Sequence, residues 1–219
     1  MTRRDFVLSS AALAVAPQAS AQSEAAVPPS VRLTKGWEHY RGQLGGIWEV
    51  WRGAKASDNV AWTPVELPHC FNARDAVDPD EAYYQGPGWY RTNIAVANPF
   101  SNGRTLLHFE GAGQKTEVWV GEKRVGRHVG GYDEWVVDIT DAAAGEKTVP
   151  IAIFCDNSRD LEMIPSSLSD FNLYGGLYRY VNLVYVPALS LERFHVNDGT
   201  ISARLYNPSA VKESVAHCG

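Results

Sequence analysis

Short segments in which apolar and polar residues alternate, or β-branched residues cluster, follow one another along most of this chain. Turn-forming stretches such as NPFSNG, GAGQ and DAAAGE separate them. The segments are WYRTNIAV (89–96), RTLLHFEG (104–111), KTEVWVG (115–121), EWVVDIT (134–140) and KTVPIAIFCDN (147–157). A period of two is typical of strands with one buried face, and no stretch keeps a helical period beyond a few residues. The pattern therefore predicts an all-β fold, either a β-sandwich or a jelly roll.

The last part of the chain is predicted to leave this domain at VYVP (184–187). Two further alternating segments, LSLERFHV and GTISARLYNPSA, flank Asn197-Asp198-Gly199. Asp-Gly between alternating segments is a strong signal for a β-hairpin. Residues 188–219 are too few for a second β-sandwich, which takes about 100 residues. We therefore expect a main domain over 31–187 and the truncated start of a second domain over 188–219.

The first residues are predicted to be an export signal. Arg3 and Arg4 precede an apolar run that ends at the small residues Ala19-Ser20-Ala21. This order is that of a bacterial signal peptide, and the adjacent arginines followed by Phe6 and Leu8 indicate the twin-arginine type. The run is too short to span a membrane. We expect a signal over 1–21, a linker over 22–30 and a periplasmic protein; a disordered cytoplasmic tail is the alternative.

Composition excludes some partners and cofactors. The net charge of −5, without a basic stripe, argues against binding to nucleic acid. The cysteines are Cys70, Cys155 and Cys218, so at most one internal disulfide can form, and Cys70–Cys155 is possible. No Cys/His cluster has the spacing of a zinc site. We therefore expect neither a metal nor another cofactor, and no membrane partner.

The stretch DFNLYGGLYRYVNLVYV (170–186) carries more than a turn before a strand requires. Gly175 and Gly176 suit a sharp turn, because glycine reaches backbone angles that other residues avoid. A turn before a strand does not require Asp170, the aromatic residues or Arg179. The residues by themselves favour an Asp170 that caps the turn through its own backbone.

Six stretches, in this order, resemble the N-terminal sugar-binding domain of glycoside hydrolase family 2. They are GW (36), WTPVELPHCFN (62), GPGWYR (86), LLHFEGAGQKTEVWVGEKRVGRHVGGYDEWVVDIT (106), VPIAIFCDN (149) and DFNLYGGLYRYVNL (170). The resemblance implies a galactose-binding-like jelly roll, then an immunoglobulin-like sandwich, then a TIM barrel. One departure is the central hairpin turn, which is Gly121-Glu122 where the family usually has Asn-Gly.

The resemblance also implies an activity. Hydrolysis needs two carboxylates, which in this family are glutamates on the barrel strands. A barrel takes about 250 residues, so we expect no catalytic residue here and an inert chain. The expected function is that of the N-terminal fragment of an exported family 2 glycosidase, of β-galactosidase type. It would pack on the barrel and position the terminal sugar of a β-glycoside.

The resemblance implies three substrate-binding residues. Asp170 would reach the active site and accept hydrogen bonds from sugar hydroxyls, which suits an ionised carboxylate. Asn72 and Asp75 lie in the acidic loop CFNARDAVDPDEAYY (70–84), which approaches the active site in relatives; a merely solvated loop is the alternative. Arg179 is expected in a buried ion pair.

Other residues have plainer expected roles. Asp156-Asn157 is expected to cap a turn, and the Gly130-Gly131-Tyr132 turn with Trp135 to belong to the scaffold. Three tyrosines could stack on a sugar, although core packing is commoner: Tyr83, Tyr84 and Tyr174.

Two other functions stay open. The chain could be a stand-alone carbohydrate-binding module, or a structural β-sandwich that acts through protein contacts. The sequence leaves the sugar open among galactose, glucuronate and mannose.

Overall fold

The computed structural model describes residues 30–52, 61–75, 77–164, 166, 172–197 and 200–206. Regular structure within them is almost entirely β. The strands are β1 (Ser30–Arg32), β2 (Trp37–Arg41), β3 (Thr63–Val65), β4 (His69–Cys70), β5 (Pro87–Ala95), β6 (Arg104–Phe109), β7 (Lys115–Val120), β8 (Lys123–Val129), β9 (Trp135–Asp138), β10 (Thr148–Asp156), β11 (Gly176–Leu177), β12 (Val181–Val186), β13 (Ser190–Asn197) and β14 (Thr200–Tyr206). The one helix of the described residues is α1 (Ile47–Trp51).

Two antiparallel sheets form the body of the domain. One has four strands in the order β1-β12-β6-β9, and the other has six in the order β3-β2-β5-β10-β7-β8. A two-residue ladder, β4-β11, and the hairpin β13-β14 complete the pairing. The predicted all-β jelly-roll sandwich is confirmed.

The core lies between the two sheets because alternate residues of each strand point inward. In β12 the buried residues are Val181, Leu183 and Tyr185, and in β6 they include Leu107 and Phe109. The facing sheet contributes a larger apolar set: Trp37, Tyr90, Ile94, Val118, Val149, Ile151 and Ile153. Burying each such side chain fully contributes roughly 1.5–3 kcal/mol, so this alternation is the main source of stability.

Around Trp89 and Ala152, the central strands β5 and β10 are buried on both faces. Helix α1 covers the outer face, where Val50 packs with Trp89 and Ala152 in a second apolar cluster. Sequence analysis missed α1 because five residues are too few to show a helical period. The tertiary contact, not intrinsic propensity, stabilises a helix this short.

The predicted strands match observed ones within a few residues, whereas the short strands β2, β3, β4 and β11 were not predicted. The hairpin between β7 and β8 turns at Gly121-Glu122, where Gly121 has a φ of 56°. A positive φ at the first turn residue is the pattern of a type II′ turn. The predicted C-terminal hairpin is also present, with Asn197 paired to Thr200. The immunoglobulin-like domain beyond it stays a prediction.

Cys70 and Cys155 are free thiols in the structure, so the possible disulfide between them is not formed. Burial raises the pKa of both, that of Cys155 to about 12, which keeps both thiols protonated. The predicted signal and all but the last linker residue lie outside the described residues. None of the described helices is long and apolar enough to cross a bilayer.

Candidate functional site

The loop after β4 and the segment before β11 lie side by side. Cys70 pairs with Gly176 in the β4-β11 ladder, and the amide of Phe71 donates to the carbonyl of Gly175 at 3.1 Å. This pairing brings the predicted loop residue Asn72 next to the Gly-Gly motif. Asp170 itself lies outside the described residues.

Asn72 is fully buried against the Gly-Gly segment. Its Nδ2 donates to the carbonyls of Tyr84 at 3.2 Å and Leu173 at 2.9 Å. Its Oδ1 accepts from the Gly175 amide at 2.9 Å and from the Cys70 thiol at 3.1 Å. Both N–H groups of the side-chain amide and both acceptor positions of its oxygen are therefore used in hydrogen bonds. A direct substrate contact by Asn72 does not fit this environment, because no polar atom of its side chain faces solvent.

Asn157 makes the same pair of donations from the end of β10. Its Nδ2 reaches the carbonyl of Leu173 at 2.7 Å and that of Tyr84 at 3.2 Å, while its Oδ1 accepts from the Gly86 amide at 2.8 Å. The hydroxyl of Tyr83 donates to the Leu173 carbonyl at 2.8 Å. We call Asn72, Asn157 and Tyr83 the Leu173 clamp. Sequence analysis expected only a turn cap at 156–157, which Asp156 provides by accepting from the Ser158 amide.

The two glycines of the motif are required for different reasons. A Cβ on Gly175 would collide with the ring of Phe71 and lie 3.0 Å from Cγ of Asn157. Gly176 has a φ of 103°, a backbone conformation that favours glycine. A positive φ at Gly176 and close packing at Gly175 are therefore two separate reasons for glycine in the motif.

Asp75 is buried and paired within the chain. Its carboxylate accepts from Nη1 of Arg41 at 3.1 Å and from the Tyr84 amide at 3.1 Å. The Asp75 side chain is 5% exposed, whereas that of Arg41 is 41% exposed. Asp75 thus fixes the loop on β2, and the environment does not support the predicted substrate contact. Arg41 borders a cleft of about 290 Å³ beside it.

Two histidines that sequence analysis left unassigned lie in an aromatic cluster beside this cleft. His39 contacts His69 with ring centroids 4.8 Å apart, and Nδ1 of His69 is 2.9 Å from the Tyr90 hydroxyl. Burial, with His69 and Arg41 nearby, lowers the pKa of His39 to about 3. Burial also lowers the pKa of His69. Both rings are therefore neutral near pH 7 and belong to the core rather than to a charged site.

Arg179 is exposed, so the predicted burial of its ion pair is wrong. Its Nη1 donates to the carbonyls of Glu110 at 3.3 Å and Tyr132 at 3.2 Å. These bonds tie the Gly-Gly motif to the 130–132 turn. Trp135 stacks on Phe109 with centroids 4.2 Å apart, which fits its predicted scaffold role.

Of the three candidate sugar-stacking tyrosines, two already have structural partners. Tyr83 donates to the clamp, and the Tyr84 hydroxyl donates to the Pro87 carbonyl at 2.8 Å. Tyr174 is 38% exposed and stays a candidate for a sugar contact. Among the described residues, no three His, Cys, Asp or Glu side chains are grouped so that they could hold a metal ion.

Comparison with known proteins gives consistent matches. A family model described as glycosyl hydrolases family 2, sugar binding domain, matches residues 46–187. A solved Parabacteroides merdae β-glucuronidase is 52% identical, with a TM-score of 0.77 over 85% of this chain. Bacteroides uniformis β-glucuronidase 3 is 55% identical, with a TM-score of 0.71 over 78% of this chain. A Thermoanaerobacter pseudethanolicus β-galactosidase is 32% identical over 57% of this chain.

These relatives are much longer than the region they share with this chain. The match covers 27% of the P. merdae enzyme, 24% of the B. uniformis enzyme and 17% of the β-galactosidase. The matched model covers well over half of this chain and includes the clamp, the acidic loop and the Gly-Gly motif. The chain belongs to glycosyl hydrolase family 2, through the sugar-binding domain of that family.

Proposed function

We propose that this chain is the N-terminal domain of a β-glucuronidase. The observation that carries the proposal is the difference in identity between the two kinds of relative. Two solved β-glucuronidases are 52% and 55% identical to the chain, although a third, from B. uniformis, is 26% identical; the β-galactosidase is 32% identical. The β-galactosidase type expected from the sequence is revised accordingly.

The domain's proposed work is to position the terminal sugar. Asp170 would accept hydrogen bonds from sugar hydroxyls, because an ionised carboxylate is a strong acceptor and forms charge-assisted bonds. Support comes from the segment that follows it, where Leu173 and Gly175 are held by side chains of two other loops. The two carboxylates of glycoside hydrolysis would come from the remainder of a full-length enzyme.

The test is a kinetic comparison in the full-length enzyme that contains this chain. Chromogenic β-glucuronide, β-galactoside and β-mannoside are assayed with the wild type and with Asp170→Asn. We expect kcat/KM to be highest for the β-glucuronide. Asp170→Asn should lower it about 100-fold, because hydrogen bonds to a charged group are each worth about 1.5–3 kcal/mol.

Three results would contradict parts of this proposal. A higher kcat/KM for the β-galactoside would restore the galactosidase type. Unchanged kinetics in Asp170→Asn would remove the proposed sugar contact. Tight glycan binding by the 219-residue chain alone would favour a stand-alone carbohydrate-binding module.

A further inference from the structure

The carbonyl of Leu173 accepts hydrogen bonds from three side chains, two from the acidic loop and one from the end of β10. The donors are Nδ2 of Asn72 at 2.9 Å, Nδ2 of Asn157 at 2.7 Å and the hydroxyl of Tyr83 at 2.8 Å. Both amides also donate to the carbonyl of Tyr84, each at 3.2 Å. The clamp therefore joins the acidic loop, the end of β10 and the Gly-Gly segment at one point.

These side-chain hydrogen bonds hold a segment that is not paired with a neighbouring strand. Residues 172–175 lie before β11 and outside the strands, so most of their backbone groups have no ladder partner. The clamp supplies partners for the Leu173 carbonyl and the Gly175 amide from side chains that are themselves fixed. Asn72 and Asn157 are both 0% exposed, and Oδ1 of each is held by a backbone amide. A segment held by buried, fully bonded side chains can present neighbouring groups with the precision that binding requires.

We propose that Asn72 and Asn157 are positioning residues for sugar recognition. The inference rests on the proposed function, in which Asp170 binds the terminal sugar. Leu173 follows Asp170 by three positions, so the clamp fixes the described backbone nearest to the proposed sugar-binding carboxylate. The amides touch no sugar; they act through the backbone of residues 173–175.

The main variant is Asn157→Leu, because leucine has nearly the shape of asparagine but neither donor nor acceptor. The matched control is Asn98→Leu at a different turn. Nδ2 of Asn98 donates to the Arg104 carbonyl at 3.0 Å and to Oγ1 of Thr105 at 3.2 Å, and its Oδ1 accepts from the Phe100 amide at 2.9 Å. The control thus loses the same kinds of bond outside the clamp. Tyr83→Phe is a milder variant that removes one donor and keeps both amides.

The first measurement is amide hydrogen exchange on the purified 219-residue chain. We expect Asn157→Leu to speed exchange at Gly175 at least tenfold, and Asn98→Leu to leave that amide unchanged. If Asn157→Leu does not fold, Tyr83→Phe carries the test, with a smaller increase expected. Unchanged protection of Gly175 in the folded clamp variants would overturn the inference.

The second measurement separates positioning from stability in the full-length enzyme. Kinetics with β-glucuronide are taken well below the melting temperature of every variant. We expect Asn157→Leu to lower kcat/KM at least tenfold, mainly through a higher KM, and Asn98→Leu to stay within twofold of the wild type. An active wild type with equal losses in both variants would overturn positioning and leave the proposed function standing. A wild-type enzyme that hydrolyses none of the glycosides would contradict both the positioning role and the proposed function, even if hydrogen exchange shows that the clamp protects the Gly175 amide.

Discussion

The sequence showed which polar residues the acidic loop contains, but the role of each one depends on how deeply its side chain is buried. Asn72 and Asp75 could be identified from the acidic loop as candidate polar residues; Asn72 lies beside the Gly-Gly segment, and Asp75 pairs with Arg41. They are buried and bonded within the chain, so they shape the loop instead of facing a ligand. The sequence could not show this, because burial of a loop side chain depends on which distant strand lies over it. The same holds for Arg179, which is exposed where a buried ion pair was expected.

The neutral His39 should make stability depend on pH. Its pKa is about 3 in the folded chain against an ordinary value of 6.5, so the unfolded chain binds a proton first as the pH falls. Stability is then complete above pH 6.5 and declines as the pH falls towards 3. At pH 5 the loss from this residue is about 2 kcal/mol.

Urea unfolding at pH 7.5 and pH 5 measures the effect, with His39→Phe as the variant. Phenylalanine suits the site because Nε2 of His39 is buried without a hydrogen-bond partner and the ring stacks on Phe71 at 5.6 Å. We expect the variant to lose about 2 kcal/mol less than the wild type between these pH values. A dependence on pH equal to that of the wild type would contradict the assignment to His39. Burial also lowers the pKa of His69, so this residue adds a dependence in the same direction.

Elements with a clear period were predictable, and elements stabilised only by tertiary contacts were not. The strands β6, β7 and β12 alternate between buried and half-buried residues along their length, so their pattern was visible in the sequence. Helix α1 and strands β3 and β4 span only two to five residues each, too few for a period to appear. The clamp also escaped prediction, because Asn72 and Asn157 come from loops far apart in the chain and no motif links them.

Helix α1 should depend on one buried valine. Val50 is 0% exposed and packs with Trp89 and Ala152. Val50→Ala should cost about 2 kcal/mol in the free energy of unfolding, because it removes buried methyl groups and leaves a cavity. Urea unfolding gives the value. Val129→Ala, the same change at a residue that is 48% exposed in β8, should cost less than about 0.5 kcal/mol. Equal costs would show that α1 adds little to the core.

At the scale of the whole molecule, the order of the six motifs predicted the family, and membership of that family predicted the fold. The match over residues 46–187 confirms that inference. The kind of sugar was not predictable, because the residues described here hold the backbone of the site and do not themselves distinguish galactose from glucuronate. The proposal of a β-glucuronidase rests instead on the higher identity to two solved β-glucuronidases.

The location of the protein is a separate prediction for the whole chain. If Arg3 and Arg4 form a twin-arginine signal, replacing both with lysine should keep the chain in the cytoplasm. Fractionation of the producing cells into periplasm and cytoplasm measures this. Asp5→Asn, next to the pair, is the control and should leave export intact. Undiminished export of the double variant would rule out the twin-arginine route.

The Leu173 clamp has a consequence for how this region tolerates substitution. Its target is a main-chain oxygen, which every amino acid at position 173 would present equally. Selection on the loop can therefore change the side chain at 173 within the space available to a buried side chain, because Leu173 is 2% exposed. The two asparagines have no such freedom, because no other side chain combines their length with two donors and an acceptor. In a deep mutational scan, positions 72 and 157 should accept almost nothing, while position 173 should accept several apolar residues.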